Sequence, residues 1–151
     1  MAFEELKQRH AVMWGAGPFE VIAPTLAEMH DAIVAAADAG EGDSWLDVGC
    51  GTGELAFLAA ATGASVRGCD LSPVLVETAK RQAAERGLQI PFEVGDVENL
   101  PYDDGSFDVV SSSVGAIFAP DHARTAEDLD SDLSIFEGPL KGAWSLNSCR
   151  K

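Results

Sequence analysis

A parallel α/β fold is expected for this chain on three grounds. Ser44–Val48 is a near-continuous apolar segment, a three-glycine loop (Gly49-Cys50-Gly51-Thr52-Gly53) follows it directly, and a second apolar segment, Ser65–Asp70, ends on a carboxylate. An apolar run without alternation is the pattern of a strand buried on both faces, as parallel sheets require. Two such strands joined through a short helical stretch, all within about 25 residues, imply a right-handed crossover.

The elements follow in order. Ile22, Leu26, Met29 and Ile33 recur at helical spacing, with Pro24 near the start and Gly40 at the end, so a cover helix with His30 on its solvent face is expected ahead of the first strand. After the glycine loop, Glu54–Thr62 reads as a helix with Leu55, Leu58 and Ala59 inward, stopped by Gly63. Ser72 and Pro73 suit the N-cap and first turn of the next helix. Its Val76, Ala79 and Ala83 face the sheet, and Gly87 ends it. Ile90–Val94 is a third strand, and Pro91 confines it to a sheet edge because proline donates nothing to a ladder. Asp103–Ser106 is a turn, Phe107–Ser111 a fourth strand, and Asp121 the cap of a helix with Ala123, Ala126 and Leu129 on one side. The periodicity ends near Asp130, so residues 1–129 are read as one domain and 130–151 as an atypical tail.

Composition narrows the function. The 25 acids and 10 bases leave a net charge of −15, which repels a polyanion where nucleic-acid binding needs a basic footprint. The longest apolar stretch, Leu55–Ala61, is far short of the roughly 20 residues that span a bilayer. The N-terminal residues lack a basic-then-apolar secretion signal, so a cytoplasmic protein with no membrane partner is expected. Cys50, Cys69 and Cys149 form no CxxC pair and are read as reduced thiols, Cys50 as a small loop residue and Cys69 as a core filler. No metal site is expected.

The loop and Asp70 together describe a binding site. Glycines let the main chain turn sharply and come within contact distance of a ligand, and a carboxylate at the tip of the neighbouring strand can accept both hydroxyls of a ribose. An adenosine-containing ligand fits both features. Dinucleotide sites require G-x-G-x-x-G, whereas here the glycines run G-x-G-x-G and position 54 is Glu. A carboxylate at the helix start repels a pyrophosphate and tolerates a ligand carrying a sulfonium and an ammonium, which ranks a nicotinamide-dependent oxidoreductase behind.

Four blocks then resemble the class I S-adenosylmethionine-dependent methyltransferases, in the small-molecule branch of ubiquinone and menaquinone biosynthesis. They are Leu46-Asp47-Val48-Gly49-Cys50-Gly51-Thr52-Gly53, Gly68-Cys69-Asp70-Leu71-Ser72, Gly95-Asp96-Val97-Glu98-Asn99-Leu100-Pro101 and Ser106-Phe107-Asp108-Val109-Val110. The resemblance covers residues 12–129 and implies a Rossmann-like sheet of order 3-2-1-4 flanked by helices. It implies S-adenosyl-L-methionine as cofactor and methyl transfer to a small-molecule acceptor. Gly49 and Gly51, with Gly53 closing the loop, would lie against the methionine part, and Asp47 would organise the loop and the ammonium. Asp70 would take the ribose hydroxyls, Leu71 would cover one face of the adenine ring, and Asp96 with the Val97 backbone would meet its amino group. Ser112 and Ser113 would offer backbone groups at the methionine end.

Methyl transfer rests on alignment of nucleophile, methyl and sulfur, so no catalytic residue is assigned. His10, His30, His122 and Asp121 are nominal bases. His10 precedes Met13-Trp14, a segment that in similar proteins folds over the cofactor. The family sheet has seven strands, and neither the fifth strand nor the turn before it is recognisable after Leu129. A shortened or frame-shifted member is therefore expected, with an exposed edge on the fourth strand that invites a homodimer. A non-catalytic S-adenosylmethionine-binding fragment is the alternative to an active enzyme.

Overall fold

The structure, a computed structural model, describes residues 3–128, 135–137 and 144–146. Its centre is a parallel sheet of β1 (Ser44–Val48), β2 (Ser65–Asp70), β3 (Phe92–Val94) and β4 (Val109–Ser111) in the order β3-β2-β1-β4. This is the expected order, and β3 holds the expected edge. Pro91 donates nothing there, yet its carbonyl accepts the Gly68 amide at 3.0 Å. β1 is central and pairs with β2 from Ser44–Ser65 to Val48–Cys69 and with β4 from Trp45–Val109 to Asp47–Ser111.

Alternation along β1 divides the core. Trp45 joins Ile33, Ala56, Val66, Val76, Ala79 and Val109 in one cluster, while Leu46 and Val48 join Cys69 and Ala116 in the other. Trp45 is fully buried, and its Nε1 donates to Ser111 Oγ at 2.7 Å. The indole thus fills the core with its one polar atom satisfied.

Helices cover the sheet: α1 (Glu4–Gly15), α2 (Phe19–Ile22), α3 (Ala27–Ala37), α4 (Glu54–Ala61), α5 (Pro73–Glu85) and α6 (His122–Asp128). Glu4 and Glu5 lie in the first turn of α1, where acids suit the helix dipole. The expected single cover helix is three pieces, since a 3₁₀ turn, Ala23–Leu26, separates α2 from α3. Pro24 has no amide for an α-helical bond at that point. Asp38, at φ 47°, ends α3 two residues before Gly40.

Three further expectations are corrected. Leu58 is 36% exposed while Leu55, Ala56, Phe57 and Ala59 are buried, so α4 faces inward one residue off the expected stripe. Ser72 is the N-cap residue of α5, but its hydroxyl makes no capping bond and is buried without a partner. Strands β3 and β4 are each three residues long. Phe107 leaves the ladder to set its ring 5.1 Å from that of Tyr102, and Asp108 turns its carboxylate to the Ser44 amide at 2.8 Å.

Asp121 caps α6 as expected, accepting the Arg124 amide at 3.1 Å. Beyond it, β5 (Ile135–Glu137) and β6 (Trp144–Leu146) form a separate antiparallel pair that does not extend the main sheet. Leu129 and Cys149 lie outside the described residues. Among the described residues no helix is long and apolar enough to cross a membrane, and no group of three His, Cys, Asp or Glu side chains could hold a metal ion.

Candidate functional site

The loop after β1 turns through left-handed backbone at Gly49 (φ 66°) and Gly51 (φ 55°). Its geometry is set from β2, because Cys50 donates its amide to the Cys69 carbonyl at 3.0 Å. Gly51 donates its amide to Asp70 Oδ2 at 2.9 Å, and the Ser72 amide donates to Asp70 Oδ1 at 2.9 Å. The loop and the carboxylate are therefore in direct contact. Each carboxylate oxygen accepts two bonds, so Asp70 retains capacity for a ligand. Burial pushes its carboxyl up, opposed by the amides of Ser72 and Gly51.

Asp47, the residue before the last of β1, is 1% exposed. Its Oδ1 accepts from Ser111 Oγ at 3.3 Å, which links it to Trp45, while its Oδ2 is buried with no hydrogen-bond partner. Burial pushes its carboxyl up to about 8, helped by the Asp70 charge and opposed by the Ser111 hydroxyl and the Ala56 amide. A buried carboxylate oxygen left unpaired is costly, and a cation with N–H donors removes that penalty. The same burial raises the thiols, Cys69 to about 12 and Cys50 well above its ordinary value, so neither is a nucleophile at neutral pH.

A buried ion cluster ties α1 to the loop after β3. Lys7, 4% exposed, places Nζ 2.6 Å from Asp96 Oδ2 and 2.5 Å from Glu98 Oε2. Burial alone would lower the lysine, but hydrogen bonds to both carboxylates hold it above its usual value. Asp96 Oδ1 accepts the Glu98 amide at 3.0 Å, and Glu98 Oε1 accepts the Asp121 amide at 2.7 Å. One lysine thus joins the N-terminal helix, the Asp96 loop and the start of α6.

These parts enclose a cavity of about 340 Å³. Asp47, Gly49, Gly51, Asp70, Leu71, Asp96 and Val97 line it, as does Ser113, so most of the sequence-expected residues meet on one wall. Gly53 and Ser112 stand behind that wall. Gly53 begins α4 beside Phe57 and Phe92, and Ser112 Oγ accepts the Ala116 amide at 3.0 Å. His10 and Trp14 of α1 also line the cavity. His122 is exposed on α6.

His30 is not on the solvent face as expected. It is 5% exposed, lines the cavity and places Nε2 2.9 Å from Ser113 Oγ. The physical reason is visible in the spacing: Ile22, Leu26 and His30 form one row at intervals of four, and this row faces the cavity. Lys7 and Glu98 also escaped the sequence reading. A lysine beside Gln8 and Arg9 in a helix of mixed charge carries no pattern that marks it as buried.

Comparison with known proteins finds relatives of one family. The family described as a methyltransferase domain matches residues 46–130. A Mycobacterium tuberculosis protein is 37% identical over 127 residues, 83% of this chain and 46% of that one. A Thermus thermophilus protein named demethylmenaquinone methyltransferase is 35% identical over 111 residues, 67% of this chain and 50% of that one. A solved Methanococcus maripaludis structure, named provisionally as an S-adenosyl-L-methionine-dependent methyltransferase, superposes at a TM-score of 0.64 and 26% identity, over 71% of this chain and 50% of that one. The chain spans about half the length of the curated relatives it matches.

Proposed function

The chain belongs to the methyltransferase-domain family, whose cofactor is S-adenosyl-L-methionine, and from that premise we propose that this cleft binds the cofactor and serves methyl transfer to a small-molecule acceptor. One observation carries the proposal: the unpartnered, buried Oδ2 of Asp47 on the cavity wall, beside a glycine loop tied to Asp70. A ligand with an ammonium at one end and a ribose diol further along satisfies both carboxylates.

In this proposal Asp47 meets the ammonium, the main chain at Gly49 and Gly51 lies alongside the methionine part, and Asp70 accepts the ribose hydroxyls. Leu71 covers the adenine ring, while Asp96 and the Val97 backbone meet its amino group. Gly53 and Ser112 shape the loop and the turn behind the wall. When bound, the group supplies a methyl carbon activated by positive sulfur. What the chain's residues contribute is alignment and exclusion of water.

Four acidic side chains line the cavity (Asp47, Glu54, Asp70 and Asp96) against one lysine, which Asp96 and Glu98 already engage, and this lining favours a ligand that brings a cation over a pyrophosphate and so over a nicotinamide dinucleotide. The match ending at residue 130 supports taking 1–129 as the cofactor-binding domain and 130–151 as separate. The second reading is a cofactor-binding portion without turnover of its own, and a methyl-transfer assay separates the two. A homodimer across the outer edge of β4, in a cytoplasmic setting, belongs to the same proposal; sedimentation of the purified chain as a monomer would remove the dimer.

Calorimetry with S-adenosyl-L-homocysteine and with NADH tests the central point. The nucleoside thioether is expected to bind and NADH to bind far more weakly; the reverse order overturns the proposal. Hydrogen bonds to a charged group contribute about 1.5–3 kcal/mol. Asp70→Ala is accordingly expected to weaken S-adenosyl-L-homocysteine by about ten- to hundredfold. Unchanged affinity would remove Asp70 from the site.

A further inference from the structure

Beyond the residues assigned to the cofactor, the cavity wall is aromatic. Trp14 lies 5.5 Å from Phe19 and 4.6 Å from Phe118, centroid to centroid, and Ile22 and Leu26 continue the same lining. Set into this wall is the buried pair His30 Nε2 and Ser113 Oγ, 2.9 Å apart. Ser113 stands two residues before Gly115, whose Cα abuts Gly49, so the pair borders the loop at the end of β1. Lys7 is the one basic side chain on the cavity wall apart from the histidines, and its Nζ already serves Asp96 and Glu98. Among the described residues that line the cavity, no further lysine or arginine is there to meet a phosphate or diphosphate.

We propose that the acceptor is a neutral, ring-bearing apolar molecule with a hydroxyl group, and that Ser113 and His30 hold that hydroxyl. This rests on the cofactor assignment above. The acceptor's O–H donates to Ser113 Oγ, and the Ser113 O–H donates to His30 Nε2. Donation in this direction leaves the acceptor's oxygen lone pairs free of the protein. Burial lowers the imidazole's proton affinity, with only Asp31 pulling it the other way, so the ring is neutral near pH 7. It then has one lone pair to offer, and the Nδ1–H tautomer places that pair at Nε2. The aromatic lining supplies stacking surface, and the serine hydroxyl fixes the one polar atom of an otherwise apolar guest.

The test uses the purified chain saturated with S-adenosyl-L-homocysteine and three probes of similar shape: 2-naphthol, 2-methoxynaphthalene and naphthalene. Calorimetry is expected to show 2-naphthol binding about tenfold more tightly than the other two, since only it donates a hydrogen bond. In Ser113→Ala and His30→Leu the three affinities are expected to converge, with S-adenosyl-L-homocysteine affinity and melting temperature showing that the cleft is intact. Ser113→Thr is expected to restore the preference. If His30→Leu does not fold, the Ala and Thr pair at Ser113 decides. Equal affinities in the parent chain, a preference that survives Ser113→Ala, or no binding by any probe overturns the inference. Failure of S-adenosyl-L-homocysteine itself to bind overturns the cofactor assignment and is seen before any probe is added.

Discussion

Gly49→Ala is expected to impair folding and ligand binding together, whereas Gly51→Ala is expected to leave most of the stability and to strike binding. The two glycines sit two residues apart in one loop, both at positive φ (66° and 55°), so the left-handed backbone penalises either alanine by about 1–2 kcal/mol. Their surroundings differ. A Cβ on Gly49 would lie 2.7 Å from Gly115 Cα and 3.2 Å from its carbonyl carbon, while a Cβ on Gly51 would meet nothing within 4 Å. The atoms opposing Gly49 are main chain and cannot rotate away, so the end of β1 and the segment after β4 must separate. Overpacking of this kind adds about 1–3 kcal/mol, which brings Gly49→Ala to roughly 2–5 kcal/mol against a total stability of about 5–15 kcal/mol. Gly115→Ala isolates the clash, because its Cβ would lie 2.6 Å from Gly49 Cα without the positive-φ penalty. Chemical denaturation of the three variants is expected to rank Gly49→Ala lowest, Gly115→Ala next and Gly51→Ala nearest the parent. S-adenosyl-L-homocysteine affinity is expected to fall in all three, for Gly51→Ala because the added methyl occupies ligand space. Gly51→Ala proving as unstable as Gly49→Ala would show that backbone conformation alone, and not the close approach to Gly115, governs this loop.

What was legible in the sequence is what short-range chemistry fixes. The continuous apolar run of β1 requires burial on both faces, and Pro91 excludes β3 from the sheet interior. The spacing from the glycine loop to Asp70 is one right-handed crossover, which returns the chain beside its own start. Their contact, Gly51 N–H to Asp70 Oδ2 at 2.9 Å, follows from topology that periodicity already reveals. What escaped depends on partners remote in sequence. Lys7 is buried because Asp96 and Glu98 receive it 89 or more residues away, and nothing near Lys7 announces them. His30 resembles any polar residue on an amphipathic helix until Ser113, 83 residues on, supplies its bond. A buried histidine needs such a partner, and the Ile22–Leu26–His30 row alone does not name one.

The same distinction separates the position of Asp47, which the strand-loop pattern indicates, from its ionisation, which that pattern does not. An acid at the end of an apolar strand marks a site by its type, but its proton affinity depends on how completely Trp45, Ser111 and the start of α4 enclose it. Only the fold shows one oxygen satisfied and the other not.

That ionisation yields the second large effect, a cleft whose ligand affinity rises with pH while the stability of the free protein falls. Burial pushes the Asp47 carboxyl up to about 8, far above the roughly 3.9 of an unfolded chain. Between these values the native state holds a proton that the unfolded state has released, so unfolding becomes easier as pH increases through the window and no further change from this group follows above it. Asp70, shifted in the same direction, adds to the slope. Ligand binding runs oppositely. An ammonium placed against Asp47 favours the carboxylate, so below pH 8 binding expels a proton, and S-adenosyl-L-homocysteine affinity is expected to climb toward pH 8 and then level off. Asp47→Asn keeps the shape and the bond from Ser111 but removes the charge. In the free protein it is expected to raise the melting temperature at pH 8 and to flatten its dependence on pH. With ligand it is expected to weaken binding by about ten- to hundredfold, the loss of one charge-assisted bond. Calorimetry in buffers of different ionisation enthalpy measures the released proton directly. A parent chain that binds S-adenosyl-L-homocysteine at pH 6 with no proton release, or an Asp47→Asn variant that binds as tightly as the parent, would place the ammonium elsewhere in the cavity.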